Sequence, residues 1–344
     1  MKDTVIAICN RIIEYSFYSI FLFVPLAFTA TTSELFEFNK MWLTFGITLV
    51  IAASWFSKMV VQKKFFLQKT PLDIPIALFL LAHILSTLFS IDQHISFWGY
   101  YTRFNGGLLS MVTYIFLYYA FVSNFFLHIP RSEKDQPMQP PKSVSDQAYR
   151  IIVTKHALFI SLGSGLIAGL LVALWGFPSH FGYDPTCYLF RGTFDVSCWT
   201  DAFQPKVRIF STLGQPNWMA AYLSILLPLT LSLSILNLES FFKHKEKNYE
   251  LRITNYEKNK KIILASLFMI LASLFYVDIL YTKSQSGFLG TLAALGIFSL
   301  LYLFVGYIRE SMKTKLKILA SIVAIYAVLT FVIGHPIPQL DRFT

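Results

Sequence analysis

The chain is poor in the residues that usually build soluble active sites. It has three cysteines and seven histidines in 344 residues, and only 14% of its residues are charged. No zinc-ligand spacing, phosphate-binding P-loop, dinucleotide fingerprint or nucleophile elbow interrupts it. These absences speak against a metalloenzyme, a nucleotide-driven enzyme and a serine hydrolase, and no metal or cofactor is expected. Acidic residues are also scarce, 19 against 29 Lys plus Arg, for a net charge of +10. What fills the chain instead is apolar. Hydrophobic residues make up 55%, phenylalanine alone occurs 34 times, and the mean hydropathy is +0.55. An ordinary soluble domain is excluded.

Apolar runs long enough to cross a bilayer recur from end to end. They predict an all-α, polytopic integral membrane protein with about nine transmembrane helices. The spans fall near 12–30, 40–58, 74–90, 107–128, 156–175, 217–237, 262–282, 287–308 and 318–334. The first is longer than the apolar core of a signal peptide and eight more follow, so it reads as an uncleaved helix. With the N-terminus in the cytoplasm, 22 of the 29 positive residues fall inside. The outside keeps only Lys40, Arg103, Arg191, Lys206, Arg208, Lys283 and Arg342. That skew follows the positive-inside rule and leaves the C-terminus outside. The positive charge is therefore a topology signal, and no nucleic-acid partner is implied.

Between the spans, loops 131–150 and 243–261 are charged cytoplasmic connectors. The second holds a short repeat, Asn248-Tyr249-Glu250 and Asn255-Tyr256-Glu257. The outside loop 176–216 differs, being rich in aromatics and prolines, and it reads as a cap over a single membrane domain. It carries Cys187 and Cys198 in the compartment where disulfides persist, and a disulfide is expected there. A zinc site would need more ligands than His180 supplies. Cys9, at the inner end of the first span, is expected to be inert.

One decapeptide concentrates the polar chemistry: Arg208-Ile-Phe-Ser-Thr-Leu-Gly-Gln-Pro-Asn217. Gly214 suits a turn, Pro216 suits the first position of a helix, and Ser211 or Thr212 suits its cap. A helix N-terminus beside an arginine attracts anions. The eighth span opens in the same direction behind Lys283-Ser284-Gln285-Ser286-Gly287, a second cation followed by hydroxyls and a glycine. If the two mouths adjoin, their cations and helix ends converge on one anion. A third outside segment, Ser96 to Gly107, opens the fourth span with aromatics around Arg103. Its rings suit the interfacial belt or sugar stacking, and Arg103 suits a phosphate or sugar contact. Asp278, about a turn inside the seventh span, is placed to orient a cation or to pair with Lys283. His83, mid-span, is placed to bond Ser86 or Thr87.

The decapeptide and the second mouth resemble the O-antigen ligase/polymerase superfamily of membrane glycosyltransferases. Its members carry an arginine, a small Ser/Thr-Gly turn and a Gly-x-Pro-Asn step at one helix mouth, and a Ser-Arg-Gly-like step at another. In this chain Gln285 stands where the second arginine would be, and Lys283 lies two residues earlier. The resemblance implies transfer of glycan from a polyprenyl-diphosphate-linked donor to a glycan, lipid or protein acceptor. It implies the outer face of a bacterial cytoplasmic membrane and a role in polysaccharide biosynthesis for the cell envelope. It also implies a large outside loop with a catalytic histidine after the ninth span, where this sequence stops at His335 to Thr344. The expectation is thus a truncated enzyme with no catalytic residue of its own. The rival expectations are a flippase of lipid-linked sugars and a non-catalytic lipid-glycan binder. A flippase favours internal repeats and broken mid-membrane helices.

Overall fold

The computed structural model describes residues 2–32, 34–101, 103–125, 144–201, 203–247, 255–308 and 312–337. The helical content expected from the apolar runs is present. Among the described residues there are eleven α-helices and no strand: α1 Lys2–Phe23, α2 Glu37–Gln62, α3 Asp73–Leu88, α4 Gln93–Trp98, α5 Leu108–Phe125, α6 Val144–His180, α7 Pro185–Arg191, α8 Pro216–Lys247, α9 Asn255–Tyr281, α10 Gln285–Ile308 and α11 Met312–Ile333. Eight are long and apolar enough to cross a membrane. The third expected span is α3, apolar but only 16 residues long. At ~1.5 Å per residue it measures about 24 Å, short of a ~30 Å hydrocarbon core. The protein is a polytopic, all-α membrane protein.

Helix ends follow local chemistry. α1 starts ten residues before the expected span and stops at Phe23, two residues before Pro25, as a following proline requires. α2 ends where Lys63 turns left-handed (φ 51°) and its N–H reaches Val60 O. α8 and α9 extend well into the connector expected at 243–261. Residues 248–254, with the first copy of its repeat, lie outside the described residues, as do 131–143 of the other connector and the terminal 338–344.

The single membrane domain expected from the sequence resolves into two compact units, Met1–Ala168 and Gly169–Thr344. In the first, α1, α2 and α5 pack around Ile13, Phe17, Ile51, Trp55, Ala120 and Phe125. In the second, α8 and α9 run together along their lengths, with α10 against α8 and α11 against α9 and α10. Met219, Leu223, Leu227, Leu231, Phe275 and Ile279 are fully buried there. Gly169 sits against Leu226 and Phe275, where a larger side chain would collide. Outer faces are apolar as well: Phe331 is 86% exposed and Leu300 70%. Helices apolar all round belong in a lipid solvent.

Candidate functional site

The site lies in the second unit, where α8 and α10 begin. Approaching α8, the chain buries Ile209 and Phe210 and then makes a single 3-10 turn, Ser211–Leu213. Ser211 (φ 55°) and Gly214 (φ 77°) are both left-handed, and a glycine carries that conformation at no steric cost. Pro216 is the first residue of α8, as expected. Of the two hydroxyls expected to suit the cap, Ser211 is directed elsewhere. Ser211 Oγ donates to Val172 O on α6 (2.6 Å), and the carbonyl of Gln215 accepts from Trp218 N and Met219 N. Thr212 is buried.

The second mouth is organised locally. α9 ends at Tyr281. Thr282 folds back with its N–H on Asp278 O and its hydroxyl on Ile279 O (2.6 Å), and Lys283 turns left-handed (φ 48°). Ser284 Oγ accepts from Gly287 N (3.1 Å), so Ser284 is the N-cap of α10 and its hydroxyl is committed to structure. Gly287 faces α8, and a methyl there would collide with Ala220 Cβ. That glycine sets the approach of the two helices. Gln285 and Ser286 are exposed beside it.

The two mouths are neighbours. Ile209 N donates to Tyr281 O (3.3 Å), Arg208 Nε to Thr282 O (3.0 Å), and Arg208 Nη2 to Asn217 Oδ1 (3.2 Å). Arg208 thus bridges the end of α9 to the start of α8, one residue from Lys283. A guanidinium has five N–H donors, and two are used here. Both partners are neutral, so the charge remains. Arg208, Asn217, Lys283, Gln285 and Ser286 are all exposed. Together they set two cations, spare N–H donors, an amide and a hydroxyl at paired helix starts, the groups an oxyanion site would draw on.

Sequence reasoning passed over one member of this cluster. His180, the last residue of α6, stacks on Tyr281 with ring centroids 3.8 Å apart, within electrostatic reach of Lys283 and beside the backbone of Lys206. Its Nδ1 is covered and makes no hydrogen bond. The sequence carried no periodic signal for it, because its neighbour Tyr281 is a hundred residues away. Two expectations for ionisable groups are corrected. Asp278 forms no pair with Lys283. It is fully buried, and neither carboxylate oxygen has a partner, because its side chain leaves α9 into the core while Lys283 lies beyond the helix end. His83 packs on Phe79 (4.5 Å), and Thr87 Oγ1 bonds the backbone carbonyl of residue 83 instead of the imidazole. A helical threonine reaches the carbonyl four residues back more easily than a side chain on the same face.

The preceding loop is a built structure. Cys187 and Cys198 are disulfide-bonded with Cα atoms 5.4 Å apart. Asp184 caps α7 through Thr186 N (2.7 Å) and accepts from Trp199 Nε1 (2.6 Å). Trp199 in turn stands edge-on to Phe210 at 4.9 Å. The disulfide is therefore coupled through Trp199 and Phe210 to the segment that carries Arg208. Within the loop, hydrogen bonds from the Ser197 hydroxyl and N–H hold the Asp195 carboxyl below the usual range. Among the described residues no three His, Cys, Asp or Glu side chains gather as metal ligands. Cys9 is free and buried.

Arg103 belongs to the first unit. It precedes a 3-10 turn, Phe104–Gly106, and lies within electrostatic range of Glu37, without an ion pair. Glu37 is buried at the start of α2, and its Oε1 accepts from Asn105 N (3.0 Å). The aromatic rings around it pack on one another, Phe38 on Tyr101 and Phe104 at 5.7 and 5.5 Å.

No protein-family model, curated protein or solved structure matches the chain.

Proposed function

We propose that the paired mouths of α8 and α10 bind the diphosphate of a polyprenyl-linked glycan at the outer face of a bacterial cytoplasmic membrane. On this reading the protein works as an O-antigen-ligase-like glycosyltransferase. One observation carries it: Arg208 is fixed by two neutral acceptors, keeps three N–H donors, and stands beside Lys283 with no carboxylate among the described residues paired to either cation. A phosphate is the ligand that matches a planar fork of donors next to a point charge. Its depth, where apolar helices begin, suits a lipid-borne anion.

In the transfer step an acceptor hydroxyl loses its proton and attacks the anomeric carbon. The bond from that carbon to the phosphate oxygen breaks, and its electron pair stays on the diphosphate. Charge develops on the leaving group, where Arg208 and Lys283 are already aimed, and such preorganised stabilisation lowers the barrier. No residue of this chain is assigned as the base.

Binding of a polyprenyl diphosphate to purified protein in nanodiscs is the direct test. Arg208→Ala should weaken it by a charge-assisted contact, ~1.5–3 kcal/mol or about 10- to 150-fold. Arg208→Lys should restore only part, since the fork is lost. Equal affinity of the wild-type and Arg208→Ala proteins would remove the reading.

A further inference from the structure

The first unit contains an apolar slot of about 580 Å³ between α2 and α5. Trp55 forms its buried floor, with Met59 and Phe116 as walls, and Tyr119 is at its end. Phe65 and Leu67 lie along it from the extended segment that follows α2. That segment is strapped down at two points. Gln68 N donates to Ser123 Oγ (3.0 Å), and Asp73 accepts from Tyr119 OH (2.9 Å) and from the N–H and hydroxyl of Thr70. The anchors hold the two apolar side chains against the slot although Phe65 is itself 77% exposed. Ordinary lipid contact needs no such strap.

The same segment carries Lys63, Lys64 and Lys69, whose exposed ammonium groups make no hydrogen bond or ion pair among the described residues, although Lys69 lies within electrostatic range of Asp73. Asp73 in the same segment is hydrogen-bonded to Thr70 and Tyr119. Lys58, by contrast, points inward to Asn124 Oδ1 (2.8 Å) and takes no part. An apolar slot whose lining residues Phe65 and Leu67 share a segment with three exposed lysines has the two-part chemistry of an anionic lipid. On the charge-based orientation this end faces the cytoplasm, where anionic lipids supply a negative surface. We infer that the slot binds one acyl chain of an anionic glycerophospholipid, with its phosphate held by Lys63, Lys64 and Lys69. The site is separate from the proposed diphosphate site and does not depend on it.

Trp55 on the slot floor provides the readout. The full-length protein is reconstituted with increasing mole fractions of phosphatidylglycerol or phosphatidylcholine brominated on the acyl chain, and tryptophan quenching is followed. The anionic lipid should quench at about tenfold lower mole fraction. Trp55→Phe should remove that component. A K63Q/K64Q/K69Q protein should lose the preference, and a K63R/K64R/K69R protein should keep it, which separates charge from misfolding. Equal quenching by the two lipids in the wild type would overturn the site. So would a preference that survives the glutamine variant, or quenching unaltered by Trp55→Phe.

Discussion

Each unit has an arginine in a glycine-containing turn that leads into an apolar helix, and the two arginines have opposite surroundings. Arg103 stands near the buried carboxylate of Glu37, which also ties down Asn105 N. Arg208 has a carbonyl and an amide oxygen for partners. Asp278, one turn before Thr282, is sealed in the core. A carboxylate near a guanidinium lowers the local potential, whereas neutral acceptors orient it and leave its charge for a ligand. The same local sequence grammar thus leaves one arginine within electrostatic range of a buried acid and the other resting on neutral oxygens. The difference lies in what the tertiary structure sets beside each.

The second turn is also braced by a disulfide, and the first is not. Replacing Cys187 and Cys198 by serine should lower stability by about 2–5 kcal/mol. It should loosen the Trp199–Phe210 contact, so thermal unfolding of the reduced or mutant protein should begin earlier and affinity for polyprenyl diphosphate should fall with it. Unchanged affinity in a destabilised protein would show that the brace and the site are uncoupled.

Exchanging the surroundings of the arginines breaks the comparison directly. Asn217→Asp gives Arg208 the acid that Arg103 has near it. Binding should fall at least as far as in Arg208→Ala, ~1.5–3 kcal/mol, because the new carboxylate both occupies the fork and repels the diphosphate. Isothermal titration with the two variants side by side checks the order. In the first unit, Glu37→Gln keeps an acceptor for Asn105 N while removing the charge. A stability change of about 1 kcal/mol in the melting curve, with diphosphate affinity unaltered, is the expected result. The smallest effect is the gain from Gln285→Arg. At that exposed position a new cation should tighten binding only a few-fold, in line with the ~1 kcal/mol ceiling of surface charge contacts. No gain in low salt would mean that residue 285 faces away from the anion.

Much of the site was legible in the sequence. Arg208, Gly214, Pro216, Lys283 and Gly287 were all recognisable as parts of two helix starts, because turns and caps are written in neighbouring residues. Their individual duties were less legible. Ser284 is spent on a cap and Ser211 on a bond to α6, and both look the same as free hydroxyls until the chain is folded. Gly287 reads only as part of a polar helix entry, yet it allows the close crossing with Ala220. His180 gave no signal, since stacking on Tyr281 is a contact across a hundred residues.

The sequence by itself determined the class and the order of the apolar helices, eight of them long enough to span a membrane and α3 shorter. Hydropathy and charge are sums over neighbouring residues, and a bilayer responds to those sums. It also made Cys187 and Cys198 the natural pair. Only the tertiary structure decided that the starts of α8 and α10 adjoin, that Arg208 rests on neutral oxygens beside Lys283, and that Asp278 is buried without a partner. Those are distances between residues far apart in the chain, set by how helices pack, and no local pattern of residues encodes them.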